Sequence, residues 1–503
     1  MPSRAARARR SAAVCAPAAL AILAIGLWGL DRGGMWRDEA VTFQVGRRTV
    51  PQIWRLLHDV DVVHGLYYLL MHAVLTVHPG EVVLRLPSVC AAAVTAALVA
   101  ALGARLLRPR AGLWAGLLYA VTPMVGHYAQ EGRSYALVAA GATGATLLFV
   151  RAVQGGSWWA YGTVLGLTCW LHEFAVLLLL AHAVSLALAR TGARVWRGWG
   201  RACGAVVLSL LPMILVSRSQ AAQVAWLRRP TAATAEGLWR GFLGQESGVY
   251  WVCLVLALLG LAGLAGRRGE LTCAGVALPL AVVPPVTLML ASQFSPLYVD
   301  RYVLYALSGA PLLVAAGAER AAGVVGRLRS GGRPRRHPLL VPPPQVVTLA
   351  GVLAVALALL HHIPLLRADR SPDTRPDDLA AVSRVAAREL APGDPVLFLP
   401  AQTRNAALTY PGAFRGTRDV ALVEGAAASG TLYGREAGPG ELRRRLARLD
   451  RVWVVADQAL LAGRWTPRNP TERAKLAVLD QQFAGREEVV RDGVTVRLYA
   501  RRG

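Results

Sequence analysis

Apolar residues along this chain gather into long uninterrupted runs instead of alternating with polar ones. Eleven runs stand out, at about 14–30, 86–107, 111–127, 134–152, 158–171, 174–190, 202–217, 249–266, 271–291, 302–320 and 345–364. Most approach the roughly 20 helical residues that cross a hydrocarbon core. Between the first two lies a long loop, 31–85, whose stretch "GLYYLLMHAVLTVHPG" is apolar but short. It predicts an amphipathic helix lying in the membrane interface, with a short tilted span as the alternative. The stretch "GGRPRRHPLLVPPPQ" before the last run reads as a linker. From about residue 367 the period changes. "SPDTRPDDLAAVSRVAARELAPGDPVLFLPA" predicts a helix, a turn and a strand; "DRVWVVAD" and "GVTVRLYAR" predict strands, with helices at "ELRRRLARL" and "TERAKLAVLDQQF". "YPGAF" and "GTLYG" read as plain loop. The pattern predicts an α-helical polytopic membrane protein of about eleven transmembrane helices. A basic N-terminus (1–13) precedes a membrane domain (14–366), and a small soluble α/β domain (367–503) follows it.

Composition agrees with this pattern. Only 17% of the 503 residues are charged and 54% are hydrophobic, with a mean hydropathy of +0.40; a soluble chain carries about 25% charge. The net charge of +25 would suit nucleic acid, but its placement does not. Lys475 is the single lysine; the other basic residues are arginines, many of them clustered in short loops between apolar runs. That is how topology is set in a bilayer. The N-terminus resembles a signal peptide but no small-residue cleavage site follows its apolar run, so it reads as an uncleaved signal anchor. Cys15, Cys90, Cys169, Cys203, Cys253 and Cys273 lie in or beside apolar runs without zinc or CxxC spacing, which argues against a disulfide framework or a cysteine metal site.

With the N-terminus cytoplasmic, every cytoplasmic connection carries arginine, "ARLLRPRAG" and "ARTGARVWRGWGRA" among them. The alternate connections then hold "WRDEA", "DVDVVHG", "YAQEGRSY", "LHEF" and "YVDRY" on the extracytoplasmic side. Asp38 and Glu39 suit the first turn of an interfacial helix, whose dipole favours acids. Asp61 and His64, three apart, either brace the loop or supply two ligands to a divalent metal. Glu131 and Arg133 could be a local pair, and Gln130 lies beside them in an apolar neighbourhood. One cluster of this kind is ordinary; five on one side point to a shared cavity. A carboxylate beside imidazole and guanidinium groups suits deprotonation of a hydroxyl while an anionic group departs. Arginine holds phosphate in bidentate fashion. No nucleotide-binding motif occurs, so an activated group outside the membrane is expected on a lipid phosphate.

"WRDEA", "HGLYYLLMHAVLTV", "LRLPSVCAAAVTAALVAALGARLL", "TPMVGHYAQEGRSYALVAAGATGATLLFVRA" and "WWAYGTVLGLTCWLHEFAVLLLL" together resemble GT-C membrane glycosyltransferases over roughly residues 14–320. The similar branch is glycosyltransferase family 39, with protein O-mannosyltransferases and aminoarabinose transferase relatives. The resemblance implies a multispanning enzyme that takes a sugar from a polyprenyl-phosphate donor. It places the general base on Asp38, with Glu39 shaping the loop or binding the acceptor. The family's "HPPLYY" appears as His64-Gly65-Leu66-Tyr67-Tyr68, without prolines. "SQE-R-YAL" appears as Ala129-Gln130-Glu131-Gly132-Arg133-Ser134-Tyr135, "THYF" as Leu171-His172-Glu173-Phe174, and "ERY" as Asp300-Arg301-Tyr302. Arg133, His172 and Arg301 become the candidates for the donor phosphate, with Tyr67, Tyr135 and Tyr302 beside them.

The expected function is inverting transfer of a mannose-like or pentose sugar from a polyprenyl-phosphate donor to a hydroxyl of a glycan, lipid or protein, at the outer face of the plasma membrane. No nucleic-acid partner is expected. No cofactor is implied with certainty, and a divalent metal at Asp61 and His64 stays open. The rival is a lipid-linked-sugar transporter or flippase. Transporters set ionisable groups near the bilayer midplane, whereas here the acids gather at one interface.

Overall fold

Each of the eleven apolar runs lies largely within helix in the computed structural model, which describes residues 4–220, 226–264, 266–329, 343–371, 377–467, 469–491 and 494–502. Among the described residues, six helices are long and apolar enough to cross a membrane: Glu81–Leu106, Tyr135–Val153, Ala193–Ser219, Cys273–Phe294, Asp300–Val325 and Pro344–Ala368. The pair Ala232–Leu243 and Ser247–Gly263, bent by 85°, makes a seventh if it is one span. The remaining runs are shorter or broken. The run at 111–127 divides into Pro109–Val121 and Pro123–Ala129. Pro123 disfavours helical geometry at Thr122, which adopts ψ 124°, and then starts the next helix as its first residue. Helix Ala232–Leu243 has no counterpart among the predicted spans; Thr231 opens it by accepting from Thr234 N at 3.3 Å. Most of the linker before the last helix lies outside the described residues.

The chain divides into two units, one of residues 1–30 and 85–367 and the other of residues 31–84 and 368–503. The first is the helical membrane unit. Its helices approach closely where glycine meets backbone: a Cβ on Gly317 would lie 1.8 Å from the Leu256 carbonyl oxygen. With lipid outside as apolar as leucine, such close packing replaces the hydrophobic drive available in water.

The second unit is discontinuous in sequence. The loop that sequence grouped with the membrane domain instead packs in one unit with the C-terminal domain. Its helices Arg37–Gly46, Val50–Asp59 and Gly65–Val77 enclose a core of Val41, Val45, Ile53, Leu56, Leu57 and Tyr68. The second of these helices opens with a capping box between Thr49 and Gln52. The C-terminal part contains strands β1 (Pro395–Leu399), β2 (Arg418–Asp419), β3 (Leu422–Glu424), β4 (Arg435–Glu436), β5 (Arg451–Asp457), β6 (Phe483–Arg491) and β7 (Val494–Arg501). Five form a mixed sheet in the order β2-β1-β5-β7-β6, with β1 parallel to both neighbours, and β3 pairs with β4 antiparallel. β1 is buried throughout, as a central parallel strand covered on both faces should be. Helices Leu379–Glu389, Pro439–Ala447 and Pro470–Gln482 match the predicted helical stretches.

Candidate active site

The expected site residues fall into two clusters, one in each unit. In the membrane unit, helix Pro123–Ala129 ends at a tight turn that carries Gln130, Glu131 and Arg133, all buried. Gln130 Nε2 donates to the carbonyls of Gly26 and Trp28 at 2.9 and 2.8 Å, tying this turn to the end of the first helix. Ser88 Oγ donates to the Glu131 carbonyl at 2.6 Å from helix Glu81–Leu106. Gln130, expected from the sequence as a substrate contact, thus spends its amide NH2 on the end of the first helix. The turn hands the chain to helix Tyr135–Val153, whose first residue meets the last cluster of the motif series. Arg301 Nε donates to the Tyr135 hydroxyl at 3.1 Å, and the guanidinium lies 5.7 Å from the Tyr135 ring and 5.8 Å from the Tyr302 ring.

His172 sits in the extended turn after helix Trp158–Leu171, with ring centroids 4.6 Å from Tyr302 and 5.8 Å from Tyr135. Burial, then the Arg133 and Arg301 guanidiniums, lower its pKa from 6.5 to about 3. The imidazole is thus neutral at physiological pH. It can offer hydrogen bonds beside the two arginines but no third positive charge. Next to it, burial raises the Glu173 carboxyl while a hydrogen bond from Ser217, 3.2 Å long, opposes the rise. Motifs separated by more than 100 residues thus converge as Arg133, Tyr135, His172, Arg301 and Tyr302. Tyr128 joins them unannounced: its ring is 5.9 Å from Tyr135 and its hydroxyl donates to Asp300 at 3.4 Å. It was legible within "GHYAQE" only as part of the motif.

The other cluster lies within the second unit. Asp38 is half-buried and Glu39 fully buried in the first turn of helix Arg37–Gly46, where acids suit the dipole. Arg37 pairs with Asp377 at 3.4 Å. Asp61 adopts a left-handed backbone (φ 58°), which costs a non-glycine residue energy and collects at functional sites. Its carboxylate accepts from the Tyr68 hydroxyl at 2.8 Å. The His64 ring lies 6.0 Å from Tyr68; His64 and Tyr67 are both buried. Among the described residues no three His, Cys, Asp or Glu side chains group in a way that could hold a metal ion.

Three residues to which the sequence reading gave no site role join this cluster. Gln44 Nε2 donates to Asn405 Oδ1 at 2.7 Å, and the Asn405 amide lies beside the Tyr433 hydroxyl. Burial, then the nearby Asp61 carboxylate, raise the Tyr433 phenol to about 12, with Arg37 and Asn405 pulling the other way and Asp38 adding to the rise. No local motif marks Asn405 or Tyr433.

Residues 64–217 match the family described as dolichyl-phosphate-mannose-protein mannosyltransferase. This stretch contains His64, Tyr67, the turn at 130–135 and His172. The structure of ArnT from Cupriavidus metallidurans bound to undecaprenyl phosphate superposes with a TM-score of 0.60, at 14% identity over 97% of this chain and 98% of that one. The same protein in its apo state gives 0.56, at 13% identity over 95% and 96%. The fold is of the GT-C type. No curated protein sequence matches. At this identity the likeness concerns the fold, while the family match over 64–217 concerns glycosyltransferases.

Proposed function

We propose that the protein is an inverting glycosyltransferase that moves a mannose-like or pentose sugar from a polyprenyl phosphate to an acceptor hydroxyl on the extracytoplasmic face of the plasma membrane. The observation that carries it is the convergence of Arg301, Tyr135, His172 and Tyr302, beside Arg133, in a chain with this fold. Two guanidiniums next to a neutral imidazole suit a phosphate whose charge grows as the glycosidic bond breaks. Asp38 takes the proton of the acceptor hydroxyl. The acceptor oxygen forms the new bond to the anomeric carbon with inversion as the bond to the phosphate breaks; polyprenyl phosphate leaves, and Asp38 later passes its proton to solvent. Buried Glu39 holds the first helical turn that presents Asp38.

Asp38→Asn keeps the shape and removes the base. It should abolish transfer from a polyprenyl-phosphate sugar in purified, lipid-reconstituted protein while leaving membrane insertion and the melting temperature unchanged. Turnover at the wild-type rate would refute the assignment. The flippase reading makes the opposite forecast: lipid-linked sugar would cross vesicles without any glycosidic bond forming.

A further inference from the structure

The stretch between β3 and β4 is held in place more firmly than a surface loop requires. Arg55 Nη1 donates to the Ala428 carbonyl at 2.9 Å and Arg48 Nη2 to the Thr431 carbonyl at 2.9 Å, both from the loop 31–84. From the other side, Arg404 Nη1 donates to the Tyr433 carbonyl at 2.8 Å. Arg404 is itself buried and fixed by Asp419 and Glu436 at 2.6 and 2.7 Å. Thr431 Oγ1 accepts from Gly434 N at 2.9 Å, and Gly434 takes φ +90°, which closes the turn. Leu432 packs on the apolar core of the loop helices. Every neighbour of Tyr433 is therefore anchored, and its phenol is set among Asp38, Asp61, Arg37 and Asn405.

A second observation points to a ligand there. Asn405 is 1% exposed, and among the described residues its amide nitrogen finds no acceptor at hydrogen-bonding geometry and buried Gln44 Oε1 finds no donor. Buried polar atoms left short of partners mark places where a water or a bound molecule completes the bonding. Asp38, Asp61 and Tyr433 are each half-buried, none of them sealed in the core.

We propose that Tyr433, supplied by the C-terminal domain, binds the acceptor and holds a neutral, hydroxyl-rich group against Asp38 through its phenolic O–H. This rests on the reading of Asp38 as the general base. The charge around it selects the acceptor class. Asp38, Asp61 and Asp377 outnumber Arg37 among the charges around the phenol, so the net charge there is negative and disfavours an anionic acceptor. Carboxylates that accept, and a phenol and a carboxamide that donate, complement the alternating hydroxyls of a sugar ring.

The test uses the full chain in lipid nanodiscs with polyprenyl-phosphate mannose as donor and octyl mannoside as acceptor probe. Tyr433→Phe should raise KM for octyl mannoside by about tenfold, leave KM for the donor within about twofold, and leave the melting temperature unchanged. Equal acceptor KM in Tyr433→Phe and wild type, with Asp38→Asn inactive, would overturn this inference alone. Wild-type turnover by Asp38→Asn would instead overturn the transfer reading and this inference with it. Transfer or hydrolysis of the donor with octyl mannoside refused would overturn the neutral-acceptor assignment.

Discussion

His172 shows how a residue's surroundings change the role its type suggests. An imidazole near a phosphate site invites a cationic reading, yet burial beside Arg133 and Arg301 holds its pKa at about 3. In the unfolded chain the same group titrates near 6.5. Between those values the folded state binds fewer protons than the unfolded state, so stability falls as pH drops through that window. Wild-type protein should therefore lose more melting temperature between pH 7.5 and pH 5 than His172→Gln does, measured in the same detergent. Parallel losses would mean that His172 is not held neutral. Gln130 makes a related point: its bonds to Gly26 and Trp28 tie down the turn carrying Glu131 and Arg133, which its residue type alone does not reveal.

At the level of elements, the packing of helix Ser247–Gly260 against Gly309–Arg329 depends on atoms that are absent. A side chain at Gly317 would collide with the Leu256 carbonyl and force the helices apart, whereas Gly323 on the same helix meets nothing within 4 Å. Gly317→Ala should destabilise the membrane unit by about 1–3 kcal/mol, read as a lower melting temperature. Gly323→Ala, which touches nothing, should not lower it. Equal effects in the two variants would remove the close approach as the cause. The apolar run at 111–127 was visible in the sequence, but its division at Thr122 was set by Pro123, whose steric effect a hydropathy pattern does not register.

For the whole molecule, the grouping of the loop 31–84 with residues 368–503 ties the candidate base to the far end of the chain. Gln44 bonds to Asn405, Arg48 to Thr431 and Arg55 to Ala428 across more than 350 positions of sequence. Removal of residues 368–503 should leave helices Arg37–Gly46 and Val50–Asp59 without these partners. Limited proteolysis of the truncated protein should then cut within 37–59 at concentrations that leave the full chain intact there. Resistance equal to that of the full chain would show that the loop is ordered by other contacts.

The sequence by itself determined the membrane class, the helical runs, the order of the C-terminal helices and strands, and the motifs at Asp38, Asp61, 130–135, 172 and 300–302. These are local signals, because hydropathy and short motifs act over a few helical turns. Tertiary structure decided which of these side chains meet, that His172 is neutral, that Gln130 bonds to the end of the first helix, and that "GTLYG" brings Tyr433 within electrostatic range of Asp38 and Asp61. Those outcomes depend on burial and on contacts between residues hundreds of positions apart, and neither is encoded in the neighbours of any one residue.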